Sequence, residues 1–267
     1  MDILRAIIFD MDGTLADTEE IHRQAFNQTF TEFGYDWQWS RRDYIKLLNI
    51  SGGRERIRSF LEARLGQESR SSAAQRARDM HLRKSEIYRD LLAGHIRLRP
   101  GVERLIREAR DKHITLAVAT SSSRKNLETL LHNTLGEGAL SWFSVIVSCD
   151  IVVDKKPSPA VYEYALSELG IKPQHCIAIE DTHNGNMAAL SAGIKTIITT
   201  HYFTIDDNFN GASLVVDHLG EPGRPFTVSA GDAYGAGYVD VGLLQKIAAV
   251  GSAQEQGHHW NKMAAVK

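Results

Sequence analysis

Cysteine is scarce in this chain: two residues among 267, Cys149 and Cys176. Two thiols cannot build a disulfide framework. Each adjoins an apolar, strand-like run, so both are expected to be reduced and buried. Long apolar runs are also missing. No window approaches the roughly 20 apolar residues that span a bilayer, and no signal-like segment opens the sequence, so the expected partner is no membrane and the expected compartment is cytoplasmic. Net charge is nearly absent, with 31 Lys and Arg against 33 Asp and Glu. That balance argues against nucleic acid held by bulk electrostatics, while leaving room for a local basic pocket around a small anion. There is no internal repeat and no heptad. The glycines of Gly231–Gly237 follow no strand-like run, which excludes a dinucleotide fingerprint there.

What is present is an alternation. Ile7-Ile8-Phe9, Thr115–Ala119, Val145–Ser148, Cys176–Ile179 and Thr196–Ile198 are short, apolar and rich in β-branched residues, the pattern of buried strands. Leu214-Val215-Val216 is a candidate sixth. Helical stretches separate them: Gly101–Lys112 after Pro100, Arg124–Leu135 with Leu127, Leu130 and Leu131 on one face, Ser158–Leu169 ending at Gly170, Asn184–Ala192 stopping at Gly193, and a closing helix over Val239–Val250. This rhythm predicts an α/β fold, a Rossmann-like, doubly wound parallel sheet. One long gap interrupts it. Between Asp17 and about Leu98 only helical patterns occur: Ile21, Ala25, Thr29 and Phe33 on one face, Ile57, Leu61 and Leu65 on another, and a long helix over Ala73–Leu92 carrying Ile87, Leu91 and Leu92. An inserted α-helical cap is expected over the carboxyl edge of the sheet, as a lid hinged near Ala16–Thr18 and His95–Pro100. Trp37 and Trp39 are expected in its core. The expected division is 1–16 and 99–250 for the core, 17–98 for the cap and 251–267 for a tail.

Ligands of such sheets lie beyond the strand carboxyl ends, and chemistry follows each apolar run. Strand one delivers Asp10 and Asp12 into a Gly-Thr turn; with a period of two, both leave on the same side. Close carboxylates repel, which raises one pKa or recruits a cation. A calcium loop is excluded, because its twelfth position is Ile21 rather than Glu. Strand two is followed by Thr120-Ser121-Ser122-Ser123 opening a helix, a natural anion site. Strand three is followed by Lys155-Lys156-Pro157, and strand four by Glu180-Asp181. Singly, each is an ordinary loop, linker, surface patch or helix cap. Together they put nucleophile, phosphate cradle, cation and acidic pair on one edge.

The Asp10-Met11-Asp12-Gly13-Thr14 signature and the order of the other three segments resemble the haloacid dehalogenase (HAD) superfamily. The resemblance implies Asp10 as nucleophile, Asp12 as general acid/base, Thr120 and Lys156 as holders of the transferring phosphoryl group, and an aspartyl-phosphate intermediate. It implies Mg²⁺ bound by Asp10, the Asp12 backbone carbonyl and Asp181, with Glu180 acting through water. Asp12 must start protonated, and the Asp10 charge is expected to raise its pKa. The helical insertion is similar to the cap of the β-phosphoglucomutase group. The segments Ala25–Phe30, Tyr35–Ser40, Ser51-Gly52-Gly53-Arg54-Glu55-Arg56, His81-Leu82-Arg83-Lys84 and Gly220-Glu221-Pro222-Gly223 look like CbbY-type phosphatases. Those enzymes occur with Rubisco and remove one phosphate from xylulose-1,5-bisphosphate, an inhibitor of that enzyme in the Calvin cycle. Such a protein would be a monomer, in the plastid stroma where the source bears plastids. The type usually carries Lys where Arg54 stands. A bisphosphate fits the residues: Arg54, Arg56, His81 and Lys84 are surplus cations on the cap, Glu19 near the hinge suits sugar hydroxyls, and Gly52, Gly53, Glu55, Ser121 and Ser122 complete the expected substrate contacts. A phosphosugar mutase and a broad-specificity phosphatase remain the alternatives.

Overall fold

Ala6-Ile7-Ile8-Phe9 is buried at all four positions, as a strand in the middle of a sheet covered on both faces must be. It forms β1 (Ala6–Phe9), with β2 (Thr115–Ala119) on one side and β4 (Cys176–Glu180) on the other. A computed structural model of the chain describes residues 4–65 and 70–250. Outward from this centre lie β3 (Val145–Val147) beside β2, and β5 (Lys195–Thr199), β6 (Leu214–Val216) and β7 (Val228–Gly231) beyond β4, giving the order β3-β2-β1-β4-β5-β6-β7. The direction of winding reverses at β1, so the cleft beyond its carboxyl end is the expected ligand position.

The expected strands form, but the sheet is not wholly parallel. β7 runs antiparallel to β6 and is exposed along its length. Val-Ser-Ala-Gly carries no alternation that would reveal it. Gly231 therefore does end a strand; the chain then enters a turn and the next helix begins only at Val241, so a dinucleotide loop is still excluded.

Among the described residues, four helices fill the gap from Asp17 to Leu98: α1 (Glu19–Glu32), α2 (Arg41–Leu48), α3 (Gly53–Leu65) and α4 (Arg70–His95). They surround a cluster of their own, with Phe26, Phe30, Trp39, Tyr44, Ile57, Leu61, Ala77 and Met80. Trp39 is pinned there by Asn27, whose Oδ1 accepts from the Trp39 amide at 2.8 Å and whose Nδ2 donates to the Trp39 carbonyl at 3.1 Å. The face of α1 differs from expectation: Ala25, Phe26, Thr29 and Phe30 are buried, whereas Phe33 caps the helix and is 38% exposed. Leu91 of α4 likewise points outward, while Ile87 and Leu92 are buried. The expected tail 251–267 and the side chain of Leu65 lie outside the described residues.

The remaining helices are α5 (Val102–Asp111), α6 (Arg124–Leu135), α7 (Ala160–Leu169), α8 (His183–Ser191) and α9 (Val241–Ala249). Alternate strand residues serve two cores. Ile7, Phe9, Leu116 and Val118 join α5, α6 and α9 on one face; Ala6, Ile8, Ala117 and Ala119 meet α7 and α8 on the other. Helix α7 starts two residues later than expected, because Pro159 is its N-cap. The Gly220–Gly223 segment braces the start of α5: Glu221 Oε1 accepts from the Gly101 amide at 2.9 Å and Arg104 donates to its other oxygen at 3.1 Å.

The two strands of chain linking the layers run together through an Ala16–Leu98 bridge. Beside it, buried Arg99 donates to the Gly13 and Thr199 carbonyls through Nη1 and to the Thr200 and Asp217 carbonyls, both at 2.6 Å, through Nη2. Its Nε lies 3.2 Å from Asp17. One guanidinium thus ties the turn after β1 to the ends of β5 and β6. Removing it leaves several buried acceptors without a donor, so Arg99→Met is expected to lose about 3 kcal/mol of stability in urea unfolding; a loss below about 1 kcal/mol would show that these carbonyls find other partners.

Candidate active site

The site begins where β1 stops. The Asp10 amide still pairs with the Ile179 carbonyl at 2.9 Å, which fixes the aspartate against the end of β4. Lys156, from the loop before α7, is 5% exposed and reaches back under it. Its Nζ donates to Asp10 Oδ1 at 2.6 Å, to Glu180 Oε1 at 2.5 Å and to the Ala119 carbonyl at 2.9 Å. Glu180 Oε1 also accepts from the Tyr162 hydroxyl at 2.5 Å. Asp181 is held by Thr14 Oγ1 at 3.1 Å and His201 Nε2 at 2.9 Å. Oxygens of Asp10, Glu180 and Asp181 come within 4.8 Å of one another.

Burial sets the electrostatics. It drives the Asp10 carboxyl well above the usual range; Lys156 opposes the shift, while Glu180 and Asp181 add to it. Asp181 is raised to about 6 by burial, against the pull of His201. Burial works against the Lys156 charge, but Asp10 and Glu180 outweigh it and hold the ammonium above its ordinary pKa.

Asp12 behaves oppositely to the expectation. Burial lifts it, yet the facing His22, Thr18 and Tyr88 more than compensate and leave it well below the usual carboxylate range. His22 Nε2 at 3.0 Å, Thr18 Oγ1 at 2.7 Å and Tyr88 Oη at 3.0 Å all donate to its Oδ1. Repulsion between the two aspartates does not account for either shift: Asp10 is raised because it is buried with the other acids, while Asp12 is lowered by donors from Thr18, α1 and α4. His22 stacks on Tyr88 at 3.9 Å, and its Nδ1 meets Lys84 Nζ. Burial, then Lys84, pushes the His22 imidazole down, against the pull of Asp12. A neutral ring with Nε2–H toward Asp12 leaves Nδ1 to accept from Lys84.

One cavity of about 360 Å³ takes in both layers. The core contributes Asp10, Asp12, Lys156, Asp181 and the Thr120–Ser123 run; the helices contribute Glu19, His81, Lys84 and the Ser51–Arg56 turn. The serines lead into α6: Ser123 is its N-cap, accepting from the Asn126 amide, and Thr120 Oγ1 accepts from the Ser122 amide at 2.9 Å. Gly52 has φ +94°, and a Cβ there would also strike Glu55 and Lys155. Core and helical layer are joined at the rim by Asn184 Nδ2 donating to Ser51 Oγ at 3.2 Å and by Phe203, which enters the helical cluster beside Tyr44.

The surplus cations need correction. Arg56 is buried and spends its guanidinium on the Leu47 and Ile50 carbonyls and the Tyr44 hydroxyl. Burial, reinforced by Lys84, takes His81 down to about 3, so it carries no charge at neutral pH. Arg54 is half-exposed and paired with Glu55 at 2.9 Å. Glu19 accepts from Tyr44 at 2.9 Å. Cys176 is buried, but Cys149 is only half-buried and lines the cavity. Tyr162, Tyr88, Thr14 and His201 escaped sequence reasoning. A lone buried tyrosine or histidine reads as core, and only folding shows the carboxylate it meets.

A mostly parallel sheet switching at β1, with an Asp-x-Asp turn, a buried lysine and an acidic pair at its carboxyl edge, defines a hydrolase class, and comparison agrees. The family model described as haloacid dehalogenase-like hydrolase matches residues 7–199. The chain belongs to that family, and within it to the CbbY type. It is 44% identical to Protein CbbY of Cereibacter sphaeroides over 222 residues, covering 83% of this chain and 95% of the relative. It is 33% identical to the CBBY-like protein of Arabidopsis thaliana over 224 residues, covering 81% and 70%. A crystal structure of CbbY from Rhodobacter sphaeroides, an Asp-to-Asn mutant in complex with xylulose-1,5-bisphosphate, is similar with a TM-score of 0.75 at 42% identity, covering 82% of this chain and 98% of that one.

Burial pushes Lys84 down to about 7, far below the ~10.4 of an unfolded lysine. Between these values the unfolded chain holds the extra proton, so this group makes stability rise with pH from about 7 to about 10. The stability of the native protein relative to Lys84→Met is expected to climb over that interval in urea titrations; a difference that stays flat would contradict it.

Proposed function

We propose that this protein is a sugar-bisphosphate phosphatase whose substrate is xylulose-1,5-bisphosphate, a Rubisco inhibitor. The observation that carries the reading is one cavity lined by the Asp10–Lys156 pair from the core and the Ser51–Arg56 turn from the helices. A bisphosphate places its reacting phosphate at Asp10 and its other phosphate near Arg54. The helical layer, residues 17–98, acts as a cap, and the second phosphate holds it shut over the first, excluding water. The bisphosphate complex of the similar Rhodobacter sphaeroides protein supports this choice. The same reading makes the protein a cytoplasmic or stromal monomer whose partner is the phosphosugar alone.

The residues fit Mg²⁺. Three buried carboxylates converge, and Gly13 leaves open the space beside Asp181 Oδ2 that a Cβ would occupy at 2.2 Å. Asp10, Asp181 and the Asp12 carbonyl would hold the ion. Glu180, whose Oε1 is taken by Lys156 and Tyr162, stands behind them. Bound there, the ion neutralises charge on the phosphate oxygens.

The Asp10 carboxylate attacks phosphorus in line, forming an aspartyl-phosphate and releasing the sugar oxygen. Lys156 and the Thr120 hydroxyl stabilise charge on the equatorial oxygens. The leaving oxygen takes its proton from Asp12, which then removes one from the water that cleaves the acyl phosphate. In the free protein Asp12 is a carboxylate; the negative charge of a bound bisphosphate raises its pKa toward the protonated form the first step needs.

Asp10→Asn is expected to lower phosphate release more than 10⁴-fold while the fold persists. Because the Asp10 pKa is raised, its charge opposes folding above the unfolded carboxylate pKa. The variant should therefore melt at the same temperature as the native protein or higher. Turnover near the native rate would exclude covalent catalysis by Asp10. Arg54→Ala should raise KM for the bisphosphate about 10- to 100-fold and change hydrolysis of a small aryl phosphate less than about twofold. Equal losses on both would take the cap out of specificity. Assayed on C5 and C6 sugar mono- and bisphosphates, the native protein should release inorganic phosphate; isomerised sugar phosphate would indicate a mutase.

A further inference from the structure

Tyr162 lies on α7, fully buried beneath the site, and has no place in the chemistry described above. Its contacts are specific. The hydroxyl donates to Glu180 Oε1 at 2.5 Å, the same oxygen that accepts from Lys156 at 2.5 Å. Its ring centroid is 5.2 Å from Lys156 Nζ, a favourable place for an ammonium. An ammonium has three protons, and Lys156 directs them at Glu180, Ala119 and Asp10.

Glu180 is confined on its other side too. Its Oε2 accepts from the Asp181 amide at 3.3 Å, and its carboxyl packs so closely on α8 that a Cβ on Gly185 would stand 1.9 Å from Oε2. The Tyr162 hydroxyl supplies the remaining constraint. It sets the rotation of the carboxyl group and shares Oε1 with Lys156, which moderates the pull of Glu180 on the ammonium. Without that hydroxyl, Oε1 has one donor instead of two, and Lys156 is drawn toward Glu180 and away from Asp10. The balance matters because Lys156 must leave the Asp10 carboxylate free to attack while remaining beside the phosphoryl group.

We propose that Tyr162 is a positioning residue for the phosphoryl-transfer step: through Glu180 it sets where the Lys156 ammonium sits relative to Asp10. The proposal rests on the phosphatase reading, in which Asp10 is the nucleophile.

Tyr162→Phe removes the hydroxyl and keeps the ring, which separates the hydrogen bond from packing. With xylulose-1,5-bisphosphate, kcat is expected to fall by on the order of 10-fold or more, with KM within about threefold and little change in melting temperature. The second readout is the ¹⁵N–¹H NMR signal of the Lys156 ammonium, assigned by its loss in Lys156→Met. Enclosed by three acceptors, it should be protected from exchange in the native protein and should shift in Tyr162→Phe. A shifted signal with a fallen kcat supports the proposal. An unchanged signal, or a kcat within twofold of native, overturns it. Should the native protein release no phosphate from any sugar phosphate, the phosphatase reading fails and the ammonium signal alone decides the positioning role. Should Tyr162→Phe not fold, the native protein decides, because an unprotected Lys156 ammonium overturns the proposal.

Discussion

Three carboxylates are buried within a few ångströms of one another at the end of the central strands, and a single buried lysine stands among them. Like charges in a dry environment repel strongly, and each must be paired, hydrogen-bonded or neutralised. The surroundings follow from that need. Lys156 spends its protons on Asp10, Glu180 and a backbone carbonyl, Tyr162 supports Glu180, and Thr14 and His201 support Asp181. The residual unfavourable charge appears in the raised pKa values of Asp10 and Asp181. A bound hard cation would relieve that unfavourable charge.

Asp12 is kept apart from this cluster by the helical layer. Its three donors come from Thr18 at the crossing, His22 on α1 and Tyr88 on α4, so the state of the second aspartate depends on where the helices sit over the sheet. Asn184 to Ser51, and Phe203 within the helical cluster, fasten the same two layers at the rim. The core and the helical layer are thereby linked through named contacts.

Much of this was legible in the residues. Short apolar runs marked six strands, and the position of the charged segments after them located the site, because a parallel sheet can present its loops only at the strand ends. β7 was not legible, since an exposed edge strand of small residues has no apolar alternation. The roles of the helical cations were legible only as charge. Arg54 stayed at the rim, whereas Arg56 was drawn inward by the carbonyls of Leu47 and Ile50. A guanidinium has the same charge in both places, and only its neighbours distinguish a ligand contact from a structural clamp.

The sequence by itself determined the layered α/β fold, the helical insertion and the placement of Asp10, Asp12, Lys156 and Asp181 beyond the strand ends, because strand period and residue chemistry are local properties. Tertiary structure alone decided which aspartate is raised and which is lowered, that His81 is uncharged, and that Tyr162 and His201 stand behind the acids. Those outcomes depend on burial and on partners far away in the chain, and a pKa responds to distance in space rather than along the sequence.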